Sequence, residues 1–286
     1  MRYRTFGRTN LQISAVSLGG AYLMGPDPEK ATENTRAVVQ RALGLGINYI
    51  DTAPLYGKSE DLLGAALAGE KRSFYLATKV GFDPKDFDYR RDSVLWSLER
   101  SLRRLGLDQL DVAQIHEVNL AGWERIVEPG GTLDGLRAAQ ERGLCARIGI
   151  TGRAIPLLAR LAATGEFDTV LVYHDYHPGC QLAAREVIPA AHAQNMGIVV
   201  ATPLAGGLFV AGQPQAKALA ALGNAERAQA QQVLDQLHPL PGTLPQKAFR
   251  YILGDERVST VSSGAATVAE LEEVAQAADT EFSGQN

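Results

Sequence analysis

Asp51, Tyr56, Lys79 and His116 are the side chains whose types and spacing could do chemistry together, Tyr56 lying five residues beyond Asp51. A phenol can protonate a carbonyl oxygen as hydride reaches the carbon, provided its pKa is pulled from about 10 toward neutrality. A lysine ammonium beside Tyr56 would stabilise the phenolate, and an aspartate behind the lysine would keep that ammonium charged and in place. His116 would donate to the same oxygen or orient it. No side chain supplies hydride, so a cofactor must. Singly, each residue has a plain structural role: Asp caps a turn, Tyr packs, Lys is solvated, and His satisfies its own neighbours. Their convergence is what makes a chemical set.

Convergence needs a scaffold, and the chain supplies one. Short apolar runs alternate with segments of helical period, the pattern of repeated βα units on a parallel sheet. Eight strands are expected: Ala15–Gly20, Asn48–Thr52, Phe74–Val80, Leu110–His116, Ala146–Thr151, Thr169–His174, Gly197–Thr202 and Ser259–Gly264. The helices between and after them are Asn34–Leu45, Ser59–Leu67, Ser93–Leu105, Leu133–Arg142, Ile155–Thr164, Leu182–Gln194, Pro245–Leu253 and Val268–Ala278. Gly46, Gly143 and Gly197 stand just past helix ends, where a left-handed cap suits glycine. Eight such units make a single (β/α)8 TIM barrel over residues 1–286, with its site at the C-terminal strand ends. Two pieces lie outside the repeat: an opening β-hairpin, Tyr3–Ile13, and an extra helix before the last βα unit, Ala225–Leu237. Pro203–Gly223 reads as a loop over the top face, and Tyr22–Asp27, Asp83–Tyr89 and Asn119–Pro129 as loops that choose the substrate.

Composition narrows the function. The chain has 286 residues, 45% hydrophobic and 21% charged, enough for a large core. Lys+Arg 28 against Asp+Glu 32 gives a net charge of -4, no basis for a nucleic-acid or anionic-membrane partner. Small-molecule carbonyl or sugar substrates fit better. Cys145 and Cys180 form no metal-spaced or disulfide framework, and the N-terminus lacks an apolar signal region, so a cytoplasmic protein is expected. No metal site is expected either, and nothing specifies an oligomeric state.

Ile50-Asp51-Thr52-Ala53-Pro54-Leu55-Tyr56-Gly57, followed by Ser59-Glu60 and Leu63-Gly64, closely resembles the signature of the aldo-keto reductases. Ala77-Thr78-Lys79 and Gln114-Ile115-His116 match that family's lysine and histidine segments in order and spacing, and the resemblance spans essentially the whole chain. It implies a catalytic tetrad of Asp51, Tyr56, Lys79 and His116, with NADP or NAD across the barrel top and no Rossmann fingerprint. By the same resemblance, cofactor contacts fall on Gly20, Asp51, Thr151, Gly152, Thr202, Pro203, Leu204, Gly206, Gly264, Thr267 and Glu270. Substrate contacts fall on Tyr22, His116 and His174, with His177 a weaker candidate.

Several positions depart from the family pattern. The Ser-Asn pair that grips the nicotinamide is Thr151-Gly152 here, the stacking aromatic is Ala201, and the amide of strand six falls near Leu171. After strand eight, Ala265, Ala266, Glu270 and Glu273 stand where NADP-preferring members carry a basic clamp for the 2′-phosphate, which leans the reading to NAD or dual use. Tyr173-His174-Asp175-Tyr176 and Gly149-Ile150-Thr151-Gly152 look like the sugar-dehydrogenase branch, which oxidises aldoses at C1. A generic aldehyde or ketone reductase, a non-catalytic nucleotide-sensing subunit and a Schiff-base aldolase using Lys79 are the alternatives. A metal hydrolase would have only His174, Asp175 and His177 to work with, a poor ligand set.

Overall fold

A computed structural model of the chain describes residues 1–83 and 86–279. Eight parallel strands close into a barrel: Val16–Gly19, Tyr49–Asp51, Tyr75–Val80, Leu110–Ile115, Cys145–Gly152, Thr169–Tyr173, Gly197–Ala201 and Thr260–Ser263. Each follows one of the expected apolar runs, since a strand covered on both faces needs no polar alternation. Closure is made by the last strand pairing with the first, Val261 opposite Val16 and Ser263 opposite Leu18. The fold is the expected (β/α)8 barrel.

Helices cover the outer face by burying one stripe each. In Arg91–Leu105 that stripe includes Val94, Leu98, Leu102 and Leu105, and the helix stops at Gly106, left-handed at φ 67. Ser59–Leu67 packs close to it: a Cβ on Gly64 would lie 2.2 Å from the Arg104 carbonyl oxygen. Leu244–Leu253 begins with a capping box in which Thr243 accepts from the Gln246 backbone N–H.

The opening hairpin pairs Tyr3–Thr5 with Gln12–Ser14 antiparallel, Tyr3 opposite Ser14. Phe6, between the two strands, is fully buried under the barrel, its ring edge-on to Tyr49 with centroids 5.1 Å apart. This position explains Gly197: a Cβ there would lie 2.2 Å from the Phe6 ring. Gly46 and Gly143 are left-handed as expected, at φ 81 and φ 70, but Gly197 is not. At that third helix end the left-handed residue is Asn195, φ 50, and Gly197 instead starts a strand.

Three segments differ from expectation. Leu182–Gln194 is two pieces, Leu182–Arg185 and Val187–Ala193, because Pro189 lacks an N–H and crowds the carbonyl of Arg185. Asn119–Pro129 is largely helical, Val118–Val127, interrupted at Gly122 with φ 76. Within Pro203–Gly223, Gln213–Ala220 is helical, and the additional helix Asn224–Leu237 follows it. Of Asp83–Tyr89, residues 84 and 85 lie outside the described residues. Among the described residues no helix is long and apolar enough to cross a membrane.

Candidate active site

Asp51 ends the second barrel strand, Lys79 lies near the end of the third, and His116 directly follows the fourth. Tyr56 sits in the turn before Ser59–Leu67, a turn held by local hydrogen bonds. The Tyr56 N–H donates to the Ala53 carbonyl at 3.0 Å, and Ser59 N–H to the Tyr56 carbonyl at 3.1 Å. Thr52 and Ser59 hydroxyls meet at 2.8 Å, and Ser59 donates to the Gly20 carbonyl at 2.8 Å. A Cβ on Gly20 would fall 2.6 Å from that serine oxygen, so glycine is needed there for the turn itself. Glu60, 1% exposed, accepts from Thr78 Oγ1 at 2.7 Å and pairs with Arg104 at 3.2 Å, tying this helix to the strand that carries Lys79.

The four side chains meet. Lys79 Nζ donates to Asp51 Oδ2 at 2.5 Å and to the Thr52 carbonyl at 2.9 Å. The same nitrogen lies 4.9 Å from the centre of the Tyr56 ring, and the Tyr56 and His116 rings are edge-on at 5.9 Å. Burial alone would lower the Lys79 pKa, but Asp51 and Tyr56 beside it outweigh that and hold it above its ordinary value. Lys79 therefore stays charged though only 1% exposed. His116 is driven the other way, down to about 2, by burial and then by the Lys79 charge, so its imidazole is neutral. Tyr56 corrects an expectation: Lys79 does pull its pKa down, but burial and Asp51 outweigh it, and the phenol sits above its usual value rather than near neutrality.

Gln114 is the residue that sequence reasoning missed as a partner. It is fully buried opposite Lys79 in the strand register, and its Nε2 donates to Asp51 Oδ1 at 2.7 Å. The signal was available, because Gln114 lies two residues before His116 and so faces the barrel interior with it.

These groups open into a cleft of about 570 Å³ at the C-terminal end of the barrel. Of the expected cofactor positions, Gly20, Asp51, Thr151, Thr202, Pro203, Leu204, Gly206, Gly264 and Glu270 border it. Gly152 and Thr267 do not. Gly152 turns toward the Val118–Asn119 backbone and side chains, and Thr267 is the N-cap of Val268–Ala275, accepting from the Glu270 N–H. Glu270 in turn accepts from the N–H groups of Ala266 at 2.7 Å and Thr267 at 3.2 Å, so a carboxylate of the chain itself occupies that helix start.

Tyr22, expected to touch substrate, is exposed at the rim, with its ring 3.0 Å from where a Gly264 Cβ would be. His174 borders the cleft at φ 62, its N–H donating to Thr202 Oγ1 at 2.6 Å; Arg153 and, first, burial lower its pKa. His177 turns away from it, accepting at Nδ1 from the Gly179 N–H at 3.1 Å. Asp175, between them, pairs with Arg153 at 3.0 Å. Ala201 borders the cleft where the family's aromatic was expected, and Tyr173, its register partner on the neighbouring strand, is the aromatic at that rim.

The donor set fits a nicotinamide dinucleotide. Thr151, 1% exposed, lines the cleft, and its buried Oγ1 has no hydrogen-bond partner among the described residues. A buried hydroxyl left so is costly unless a ligand amide meets it. On the far side, Phe249, Pro245 and Val274 make an apolar wall suited to a flat base.

Comparison with known proteins gives the family and agrees with the barrel fold. The model of the aldo/keto reductase family matches residues 15–286. An Arabidopsis thaliana protein named L-galactose dehydrogenase is 29% identical over 280 residues, 94% of this chain and 86% of its own. A Saccharomyces cerevisiae protein named D-arabinose 1-dehydrogenase is 34% identical over 178 residues, 56% of this chain and 52% of its own. Among solved structures, an aldo-keto reductase from Bacillus halodurans in its holo form superposes with a TM-score of 0.83 at 24% identity, covering 99% of this chain and 93% of the other. The chain belongs to the aldo/keto reductase family, and is an oxidoreductase of that family.

Proposed function

We propose that residues 1–286 form one catalytic barrel domain of an NAD(P)-dependent oxidoreductase, and that it acts as an aldose 1-dehydrogenase. The observation that carries the chemistry is Lys79 Nζ, 2.5 Å from Asp51 and 4.9 Å from the Tyr56 ring in one cleft. A bound nicotinamide dinucleotide supplies or accepts the hydride. On reduction Tyr56 gives its phenol proton to the carbonyl oxygen and is left as phenolate, and on oxidation that phenolate takes the proton of the sugar C1 hydroxyl. Lys79 stabilises the phenolate that this creates, and Asp51 keeps Lys79 charged. Neutral His116 donates a hydrogen bond to the reacting oxygen and does not itself act as the acid.

Thr151, with Leu204 and Gly206 in the loop above, would hold the nicotinamide and pyrophosphate portions, and Gly264 with Glu270 the adenosine end. Two observations support NAD over NADP. Lys79 is the one cation bordering the cleft among the described residues, and Glu270 fills the helix start where a 2′-phosphate would bind.

The sugar reading draws on two relatives named for aldose dehydrogenation. An Escherichia coli relative, 27% identical over 97% of this chain and 87% of its own, is named L-glyceraldehyde 3-phosphate reductase and favours the second reading, an aldehyde reductase. Absorbance of the nicotinamide band decides between them. Offered NAD or NADP with galactose, arabinose and fucose, the protein should generate reduced cofactor. Consumption of reduced cofactor with simple aldehydes, and no reaction with any sugar, would overturn the dehydrogenase assignment.

A further inference from the structure

Beside the tetrad stands a carboxylate that the reaction above does not use. Glu117 directly follows His116 and borders the same cleft as Tyr56. Its backbone is left-handed, φ 53 and ψ 66, a conformation that costs free energy for a residue with a Cβ and is held here by its surroundings. Part of that hold is visible next door, where the Tyr89 hydroxyl donates to the His116 carbonyl at 2.8 Å. Tyr173, at the end of the sixth barrel strand, donates its hydroxyl to Glu117 Oε1 at 2.5 Å. Glu117 Oε2 takes no hydrogen bond from the described residues.

The nearby cations are committed elsewhere. Lys79 serves Asp51 and the Thr52 carbonyl, and Arg153 pairs with Asp175 while its guanidinium lies 5.9 Å from the Tyr173 ring centre. Glu117 is therefore an acceptor with spare capacity in the cleft that Tyr56 and His116 also border. A carboxylate can take about four hydrogen bonds, and only one is made. What suits it is an O–H donor on the substrate; what it repels is a phosphate or carboxylate.

We infer that Glu117, oriented by Tyr173, is the specificity-determining group of this cleft. Its carboxylate accepts the hydroxyl on the carbon next to the reacting one, selecting α-hydroxylated carbonyl compounds and aldoses over simple aldehydes and over phosphorylated ones. The inference rests on the assignment of Tyr56 as the group that meets the reacting oxygen. A hydrogen bond to a charged partner is lost with the hydroxyl, which sets the expected preference at about 10–100-fold.

The test compares glyceraldehyde with propanal, a matched pair differing in hydroxyls, using the wild-type protein, Glu117→Gln and Glu117→Ala with reduced cofactor. Wild type should favour glyceraldehyde in kcat/KM, and the ratio should fall at least about tenfold in Glu117→Ala, with Glu117→Gln between. A purely structural loss lowers both substrates alike and leaves the ratio where it was. An unchanged ratio, or a wild-type protein that treats the two alike or turns over neither, overturns the inference. Aldose oxidation is scored separately: a Glu117-dependent ratio without sugar turnover removes the dehydrogenase reading and leaves the hydroxyl-reading role standing.

Discussion

Replacing Asp51 by Asn keeps the shape of the second strand end and removes one charge, which leaves the Lys79 ammonium buried without its partner. Breaking a buried pair from one side costs about 3–5 kcal/mol. The sign of its pH dependence follows from Lys79. In the wild-type protein the folded-state pKa lies above the unfolded value, so the contribution is fully present below about pH 10 and steady across neutral pH. In Asp51→Asn the larger of the two influences that raised it is gone, leaving Tyr56 alone against burial, which lowers it. The unfolded chain then binds more protons than the folded one, and the variant gains stability as pH rises, by up to about 1.4 kcal/mol per unit. The gap between the two proteins should therefore narrow from acid to alkaline conditions. Guanidinium unfolding at about pH 6, 7.5 and 9 reads this directly. Activity should fall in parallel: a unit charge 4.9 Å from the Tyr56 ring is worth about 3 kcal/mol at an effective dielectric near 20, roughly a hundredfold in any step through the phenolate. A stability gap that stays constant with pH would refute the account of Lys79 as an ammonium held charged by Asp51.

Tyr56→Phe should abolish turnover yet leave dinucleotide affinity, read by fluorescence titration, nearly unchanged, because only the proton carrier is lost. Gln114→Leu removes the hydrogen bond to Asp51 Oδ1, makes that carboxylate a stronger competitor for the Lys79 proton, and should raise the apparent pKa in the kcat profile by up to about one unit. His116, at about 2 when folded, is neutral where the unfolded chain would take up a proton, so stability due to it is full above about pH 6.5 and falls as pH drops toward 2. His116→Gln should make the acid arm of the unfolding curve shallower, leaving the contributions of His177, at about 4, and of His174, Asp88 and Asp255, which are also held below their ordinary values. Glu270→Ala frees the Ala266 and Thr267 N–H groups and should raise the NADP-to-NAD ratio of kcat/KM about tenfold; no change would detach Glu270 from nucleotide choice.

The barrel was legible because its strands are apolar on both faces and its helices are not, a contrast that survives in a single sequence. The tetrad was legible for a second reason: each member sits at a strand end or just past one, where the fold points side chains into one opening. What sequence reasoning lost were features decided by contacts far along the chain. Gly197 reads as a helix cap until Phe6, from the other end of the chain, is placed against it. Thr267 reads as a cofactor contact by the family resemblance of Gly264-Ala265-Ala266-Thr267, whereas its hydroxyl is taken by its own helix. The helix at Val118–Val127 was hidden by Asn119 and Gly122, both poor helix formers, and is half-covered by neighbours that the local pattern does not contain. The raised Tyr56 pKa is likewise a burial effect, and burial of a turn residue cannot be read from its neighbours in sequence.

The Phe6 plug bears on the timing of proton traffic. Phe6, Ile13, Tyr49, Val112 and Leu171 pack into one apolar cluster that fills the barrel below the tetrad. Asp51, Lys79 and Tyr56 all border the cleft at the C-terminal end of the barrel. By the proposed mechanism, a proton that the Tyr56 phenolate takes from a sugar hydroxyl would stay on the phenol while product covers that cleft. It would pass to solvent as product leaves, so that proton and product would share the cleft as their way out.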